Sequence, residues 1–285
     1  MDFRKQVTED EFTALRRQED TVYSCRDYLS PEYHNDQMEE QDKTAQDKGT
    51  NASMFDALPS DPSAGSLTEV WRNASMFDSL PSDPSAGSLN EVWREKICEW
   101  CYQVVDHFDF SREVVSVSMS YLDRYLSSRR VNKKIFQLAA MTCLYLAIKL
   151  YEPTTLKISS LVGLSRGFFT ADHIIAMEES ILSALNWRMH PPTVMGAARQ
   201  FLSLMSSEVD PQSKIDIIEL SRFLSELSVC DYFFVTHKPS SIGLACILTA
   251  FEGVSHEHLS RKHRQKFVND VYRIAKINCT IAEVH

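Results

Sequence analysis

The sequence lacks the motifs on which the commonest catalytic and cofactor sites depend. Its eight glycines never form a phosphate-binding loop, it has no HExxH zinc motif, and no two aspartates are adjacent. The familiar signatures of nucleotide-binding enzymes and metallohydrolases are therefore missing. We expect a protein that is not an enzyme, with no catalytic residue, no metal and no cofactor.

The first 90 residues also lack isoleucine, whereas the remainder contains all 15 isoleucines of the chain. These 90 residues carry 8 basic and 18 acidic side chains, against 22 and 21 in the remainder. A polar, acidic segment buries too little apolar surface to offset the entropy lost on ordering. The composition predicts a disordered acidic arm over residues 1–87 and argues against a nucleic-acid binder driven by bulk positive charge.

The seven cysteines are odd in number and scattered, and the start of the chain, MDFRKQVTEDEF, has no apolar signal sequence. We therefore expect reduced thiols in the nucleus and/or cytoplasm. Cys98 and Cys101 form an isolated CxxC, which we interpret as two small hydrophobic residues one helical turn apart. The longest apolar run, Ile135–Ile148, is too short for a membrane span.

A near-perfect repeat occupies residues 51–94. The segments 51–72 and 73–94 differ only at Ala57/Ser79 and Thr68/Asn90. Two copies are too few for a solenoid, and the sequence does not decide between a recent duplication and an error in the gene sequence. The capping-box spacing of Ser88 and Glu91 predicts a helix start in the second copy.

From residue 94 the apolar residues recur with helical spacing. Two halves emerge, each with one helix that is apolar almost all round and several amphipathic neighbours, and no alternating strand pattern of useful length is present. The pattern predicts an all-α fold. The clearest stripes are Ile97, Trp100, Cys101, Val104, Val105 and Phe108 in the first half, and Ile217, Leu220, Leu224 and Leu227 in the second.

Three charged residues lie within or at the end of the apolar stripes of these helices. Arg94 continues the first apolar stripe, so it needs a buried anion, for which Asp123 on the next helix is the nearest candidate. Glu178 occupies an apolar position in another stripe, and Lys149 ends the apolar third helix. Periodicity alone leaves two interpretations of Lys149 and Glu178: a mutual surface pair, or a site that faces a partner protein.

Three segments together resemble the cyclin family. WREKICEWCYQVVDHF is similar to the first helix of the cyclin box, and SYLDRYLSSRRVNKKIFQLAAMTCLYLAIKLYEP to its second and third helices. MEESILSALNWRMHPPT resembles its fifth helix and the passage into a second cyclin fold. The sequence of this segment is also similar to that of diatom cyclins. The resemblance implies two tandem five-helix folds, over 88–190 and 191–285.

The resemblance also implies roles for particular residues. Arg94 and Asp123 fall on a structural salt bridge between the first two helices, and Lys149 and Glu178 on the pair that holds a cyclin-dependent kinase. A substrate-docking patch would comprise Trp93, Ile97, Trp100, Gln103, Phe136 and Gln137. In this patch Lys96 and Gln103 depart from the usual apolar and acidic residues, which weakens the docking assignment.

The implied function is allosteric. A cyclin binds its kinase as a heterodimer, without performing chemistry itself, and also contacts kinase substrates or inhibitors. Two alternatives stay open: a transcription-type cyclin, and a cyclin-fold transcription factor that binds DNA. We expect neither nucleic acid nor membrane as a partner. In the arm, Arg26 and Leu29 form an RxxL that resembles the degradation signal of mitotic cyclins.

Overall fold

The computed structural model describes residues 3–30, 33, 90–255 and 259–276, with side chains from residue 9 onward. Within this part of the chain lie ten α-helices and no strand, which confirms the all-α prediction. Two compact units form. The N-terminal unit lies within Cys25–Met189 and Cys230–Val235, and the C-terminal unit comprises the rest of the described residues.

The N-terminal unit is built from five helices, and the central one of them is buried by the others. The central helix, α4, has thirteen consecutive buried residues from Phe136 to Ile148, because it is apolar on all sides. By length and composition α4 could cross a membrane, but most of it is buried inside the protein, as in a core helix. The five helices are α2 (Glu91–His107), α3 (Glu113–Leu126), α4 (Lys133–Tyr151), α5 (Ile158–Leu164) and α6 (Ala171–Ala184).

Side chains that accept backbone N–H groups fix the starts of α2, α4 and α6. Asn132 caps α4 by accepting from the N–H of Ile135 at 3.0 Å. The start of α2 differs from the prediction. Its cap is Asn90, whose Oδ1 accepts from Trp93 N at 3.1 Å, so the helix starts two residues later than a cap at Ser88 would place it.

The C-terminal unit packs around α9, the second all-apolar helix. Its helices are α7 (Val194–Leu202), α8 (Pro211–Cys230), α9 (Pro239–Glu252) and α10 (Arg261–Asp270), with a 3-10 turn at Tyr232–Thr236 and a π-helical turn at Val271–Ala275. The last residue of α8 and nearly all of the 3-10 turn belong to the N-terminal unit. Among the described residues, these four α-helices form the second of two tandem helical folds.

The expectation of a disordered arm over 1–87 is wrong for its first part. A helix, α1, spans Phe3–Thr21 and packs on the C-terminal unit. Phe12 and Leu15 are buried in its core, and the rings of Phe12 and Phe201 stack with centroids 4.9 Å apart. Two residues of α1 therefore bury enough apolar surface to order a segment whose average composition is polar.

Glu19 ties α1 to the start of α9. Its carboxylate accepts from the backbone N–H and the hydroxyl of Ser240, both at 2.6 Å. These bonds satisfy a donor that an isolated helix leaves unpaired, and α9 has no side-chain cap from its own Lys238. Most of the repeat, residues 51–89, lies outside the described residues, as do the remaining positions of the predicted arm from 34 onward.

Candidate functional site

Lys149 and Glu178 form an ion pair on the surface of the N-terminal unit. Lys149 stands at the C-terminal end of α4 and Glu178 in the middle of α6, and their Nζ and Oε1 atoms lie 2.9 Å apart. The Lys149 side chain is 45% exposed and that of Glu178 16%. The hydrogen bond from Glu178 raises the pKa of Lys149, so this amine stays protonated at neutral pH.

This direct pairing is the mutual surface pair that periodicity left open as one interpretation of Lys149 and Glu178. The pairing does not use all the hydrogen-bond donors and acceptors of these two side chains. An ammonium carries three N–H donors and a carboxylate has two oxygens, so each group keeps hydrogen-bonding capacity for a partner. The arrangement can hold a polypeptide backbone by charge-assisted hydrogen bonds.

Three exposed apolar side chains lie close to Lys149 or Glu178 along the chain. Leu150 follows Lys149 and is 46% exposed, while Ile175, one helical turn before Glu178, is 50% exposed. Trp187, shortly after α6, is 72% exposed. Sequence reasoning missed all three. The signal was available for Ile175, an apolar residue that lies outside the buried stripe of its own helix.

The structure brings Arg94 and Asp123 together in the interior of the same unit. Two parallel hydrogen bonds join them, Nε to Oδ1 at 2.8 Å and Nη2 to Oδ2 at 2.9 Å. Both side chains are more than nine-tenths buried. Burial alone would lower the pKa of Arg94, but the carboxylate of Asp123 outweighs it and the net shift is upward. The pair fastens α2 to α3.

Tyr28 completes this buried network. Its hydroxyl donates to Oδ1 of Asp123 at 2.8 Å, and Nη1 of Arg94 donates to the carbonyl of Cys230 at 3.0 Å. Burial, and then the Asp123 charge, raise the pKa of Tyr28 well above its ordinary value. Sequence reasoning missed Tyr28, because it lies in the segment assigned to the arm.

Tyr28 also lies inside the RxxL segment of Arg26 and Leu29. Arg26 is exposed and Leu29 is half-buried, while Tyr28 between them is only 4% exposed. The hydroxyl of Tyr232 bridges the segment by accepting from Leu29 N at 3.1 Å and donating to Asp27 at 2.7 Å. The tetrapeptide is therefore part of the folded N-terminal unit and not of a freely accessible arm.

The residues of the expected docking patch are mostly interior. Trp93, Ile97, Trp100, Phe136 and Gln137 are each at most 4% exposed, and only Gln103 of the six is exposed. The rings of Trp93 and Phe136 lie with centroids 6.0 Å apart, and the Lys133 ammonium lies over Trp93. In the structure these residues are mostly buried, and their substrate-docking role stays a prediction.

Comparisons with known proteins place both halves of the chain in one family. The family model of the cyclin N-terminal domain matches residues 68–190, and that of the cyclin C-terminal domain matches residues 197–285. Cyclin-A1-4 of Oryza sativa subsp. japonica is 29% identical over 155 residues, which cover 54% of this chain and 43% of that relative. Cyclin-B2-2 of Arabidopsis thaliana is 30% identical over 154 residues, 54% of this chain and 34% of the relative.

The match to either plant protein thus spans less than half of that protein's length. Among solved structures, a viral cyclin from herpesvirus saimiri superposes with a TM-score of 0.53 at 19% identity, over 73% of this chain and 90% of the viral chain. That likeness shows the fold. Because the two domain models together account for most of the chain, the protein belongs to the cyclin family.

Proposed function

We propose that this cyclin binds a cyclin-dependent protein kinase as a heterodimer and activates it allosterically, in control of the cell cycle. The observation that carries the proposal is the surface ion pair of Lys149 and Glu178, together with the exposed side chains of Leu150, Ile175 and Trp187 on or just after the same two helices. Aromatic side chains are enriched in protein–protein interfaces.

The proposed mechanism needs no chemistry from this chain. Lys149 donates to backbone carbonyls at the end of the kinase's mobile helix, and Glu178 accepts from backbone N–H groups. The apolar side chains pack on the same helix and hold it inward. In the kinase, the catalytic lysine can then pair with the glutamate of that helix, and the activation loop is free to move.

The apolar residues supply most of the affinity in this proposal, and the charges supply orientation. Large aromatic side chains near the centre of an interface are common hot spots, and Trp187 is the most exposed large hydrophobic residue of the described chain. Charged groups that form hydrogen bonds in a desolvated interface fix the register of the partner. Truncation of Trp187 should therefore weaken binding without abolishing its specificity.

The finer parts of the proposal are the cell-cycle role and a location in the nucleus and/or cytoplasm. Relatives named as A- and B-type cyclins support the cell-cycle role. A transcription-type cyclin uses the same binding mode and differs in the identity of its kinase. Kinase substrates or inhibitors are further proposed partners, although the burial of Trp100 and Phe136 gives them no open groove at the expected patch.

The test compares two double variants of the full chain. Lys149→Ala with Glu178→Ala removes the proposed contacts. Lys96→Ala with Glu99→Ala is the matched control, because it removes another exposed ion pair of 2.9 Å, on α2 of the same unit. Each tagged protein is purified from cells, the co-purified kinase is identified by mass spectrometry, and its activity is measured.

The first variant should lose at least tenfold in kinase recovery, since loss of a hydrogen-bonded charge pair at a buried interface costs roughly 2–5 kcal/mol. Its melting temperature should stay near that of the wild type, because an exposed ion pair contributes about 0–1 kcal/mol to folding. The control should keep both binding and stability. Full kinase activation by the folded Lys149/Glu178 variant would overturn the proposal.

A further inference from the structure

Two cysteine thiols contact each other in the N-terminal unit, and neither belongs to the proposed kinase contact. The sulfur atoms of Cys98, on α2, and Cys230, the last residue of α8, lie 3.3 Å apart. The two residues are 132 positions apart in sequence. Cys98 is completely buried and Cys230 is half-buried, so solvent reaches only one sulfur of the pair.

The contact makes the two sulfurs chemically unequal. The hydrogen bond between the two sulfurs lowers the pKa of Cys230 and raises that of Cys98. The guanidinium of Arg94, whose Nη1 donates to the Cys230 carbonyl at 3.0 Å, also lowers the pKa of Cys230. The more accessible sulfur is thus the better nucleophile, and the buried one is positioned to react second.

We propose that Cys98 and Cys230 are an oxidation site at which hydrogen peroxide forms a reversible disulfide. The Cys230 thiolate attacks one peroxide oxygen, the O–O bond breaks, and hydroxide leaves and takes up a proton as water. Cys98 then attacks the resulting sulfenic sulfur, the S–O bond breaks, and the oxygen leaves as water with the Cys98 proton. Two thiols are oxidised and one peroxide is reduced to two waters.

The geometry favours closure without a large rearrangement. A disulfide bond is about 2.05 Å long, so sulfurs that are 3.3 Å apart must approach by about 1.3 Å. Rotation of the two side chains supplies movement of this size. A thiol reductant reopens the bond by exchange. The site is independent of the proposed kinase contact, because neither Lys149 nor Glu178 takes part in it.

The experiment uses the reduced full-length chain, treated with hydrogen peroxide, alkylated, digested with trypsin and analysed by mass spectrometry. The tryptic peptides that carry the pair, 97–112 and 223–261, also contain Cys101 and Cys246. Single variants therefore identify the sulfurs: Cys98→Ala and Cys230→Ala remove the proposed bond, and Cys246→Ala is the matched control. Dimedone traps sulfenic acid in each protein.

We expect the wild type and the Cys246→Ala variant to form the 97–112 to 223–261 cross-link, which a thiol reductant reverses. Cys98→Ala should instead accumulate a dimedone adduct on Cys230, and Cys230→Ala should form neither product. The absence of a cross-link in the oxidised wild type would overturn the proposal, and this result does not depend on the folding of any variant. Persistence of the cross-link in Cys98→Ala would assign it to Cys101 and also contradict us.

Discussion

At the scale of single residues, the sequence is most informative where a charge interrupts an apolar stripe. Arg94, Lys149 and Glu178 were all singled out in this way, because a buried or half-buried charge requires a partner. The sequence offered Asp123 as the nearest candidate partner of Arg94 and left the partners of Lys149 and Glu178 open. Those partners are side chains on other helices, and Lys149 and Glu178 pair with each other across α4 and α6.

The buried pair carries the first prediction at this scale. Arg94→Ala should lower the free energy of unfolding by roughly 3–5 kcal/mol, because it leaves the Asp123 carboxylate buried with only the Tyr28 hydroxyl from this network. Arg94→Lys should recover only part of the loss, since an ammonium cannot form two parallel hydrogen bonds. Denaturant unfolding followed by circular dichroism measures both. An Arg94→Ala loss below about 1 kcal/mol would contradict a structural role for the pair.

At the scale of elements, the helices with strong periodicity were predicted and α1 was not. Composition averaged over the first 90 residues is acidic and lacks isoleucine. Such an average hides a single short helix such as α1. Phe12, Leu15 and Glu19 lie at helical spacing and are all buried. The tertiary contacts of these few residues, which no local average reports, order the helix.

The capping contact of α1 gives a prediction with a pH signature. Glu19→Ala should lower the free energy of unfolding by about 1–3 kcal/mol, because two buried donors of Ser240 lose their acceptor. Glu19→Gln keeps an acceptor and should lose less. Denaturant unfolding at several pH values measures the loss of stability in both variants.

The sign of the pH effect comes from the pKa of Glu19, which burial raises above the ordinary 4.5 in the folded state. The folded protein therefore binds a proton more tightly than the unfolded chain, and the stabilisation from this group is full below pH 4.5. It is lost as the pH rises through the folded pKa. Glu19→Gln should remove this fall in stability. An unchanged pH profile in that variant would argue against the burial of a charged carboxylate.

At the scale of the whole molecule, the repeat raises the question of how much of the chain the fold requires. The second copy, 73–94, supplies the Asn90 cap and the first residues of α2, including Arg94, whereas the first copy lies outside the described residues. The two copies differ at only two positions, of which Thr68/Asn90 is one. Either copy can in principle start the helix, because each ends in the sequence EVWR.

Two deletions test this directly. Removal of 51–72 keeps the native start of α2, so its free energy of unfolding should stay within about 0.5 kcal/mol of the full chain. Removal of 73–94 joins Arg72 to Glu95 and places Thr68 at the cap and Arg72 at the position of Arg94. This protein should also fold, less stable by under about 1 kcal/mol, because Thr is a slightly weaker N-cap than Asn. Denaturant unfolding compares all three chains. If removal of 51–72 were the more damaging deletion, the first copy would have to contribute packing that the second copy cannot replace.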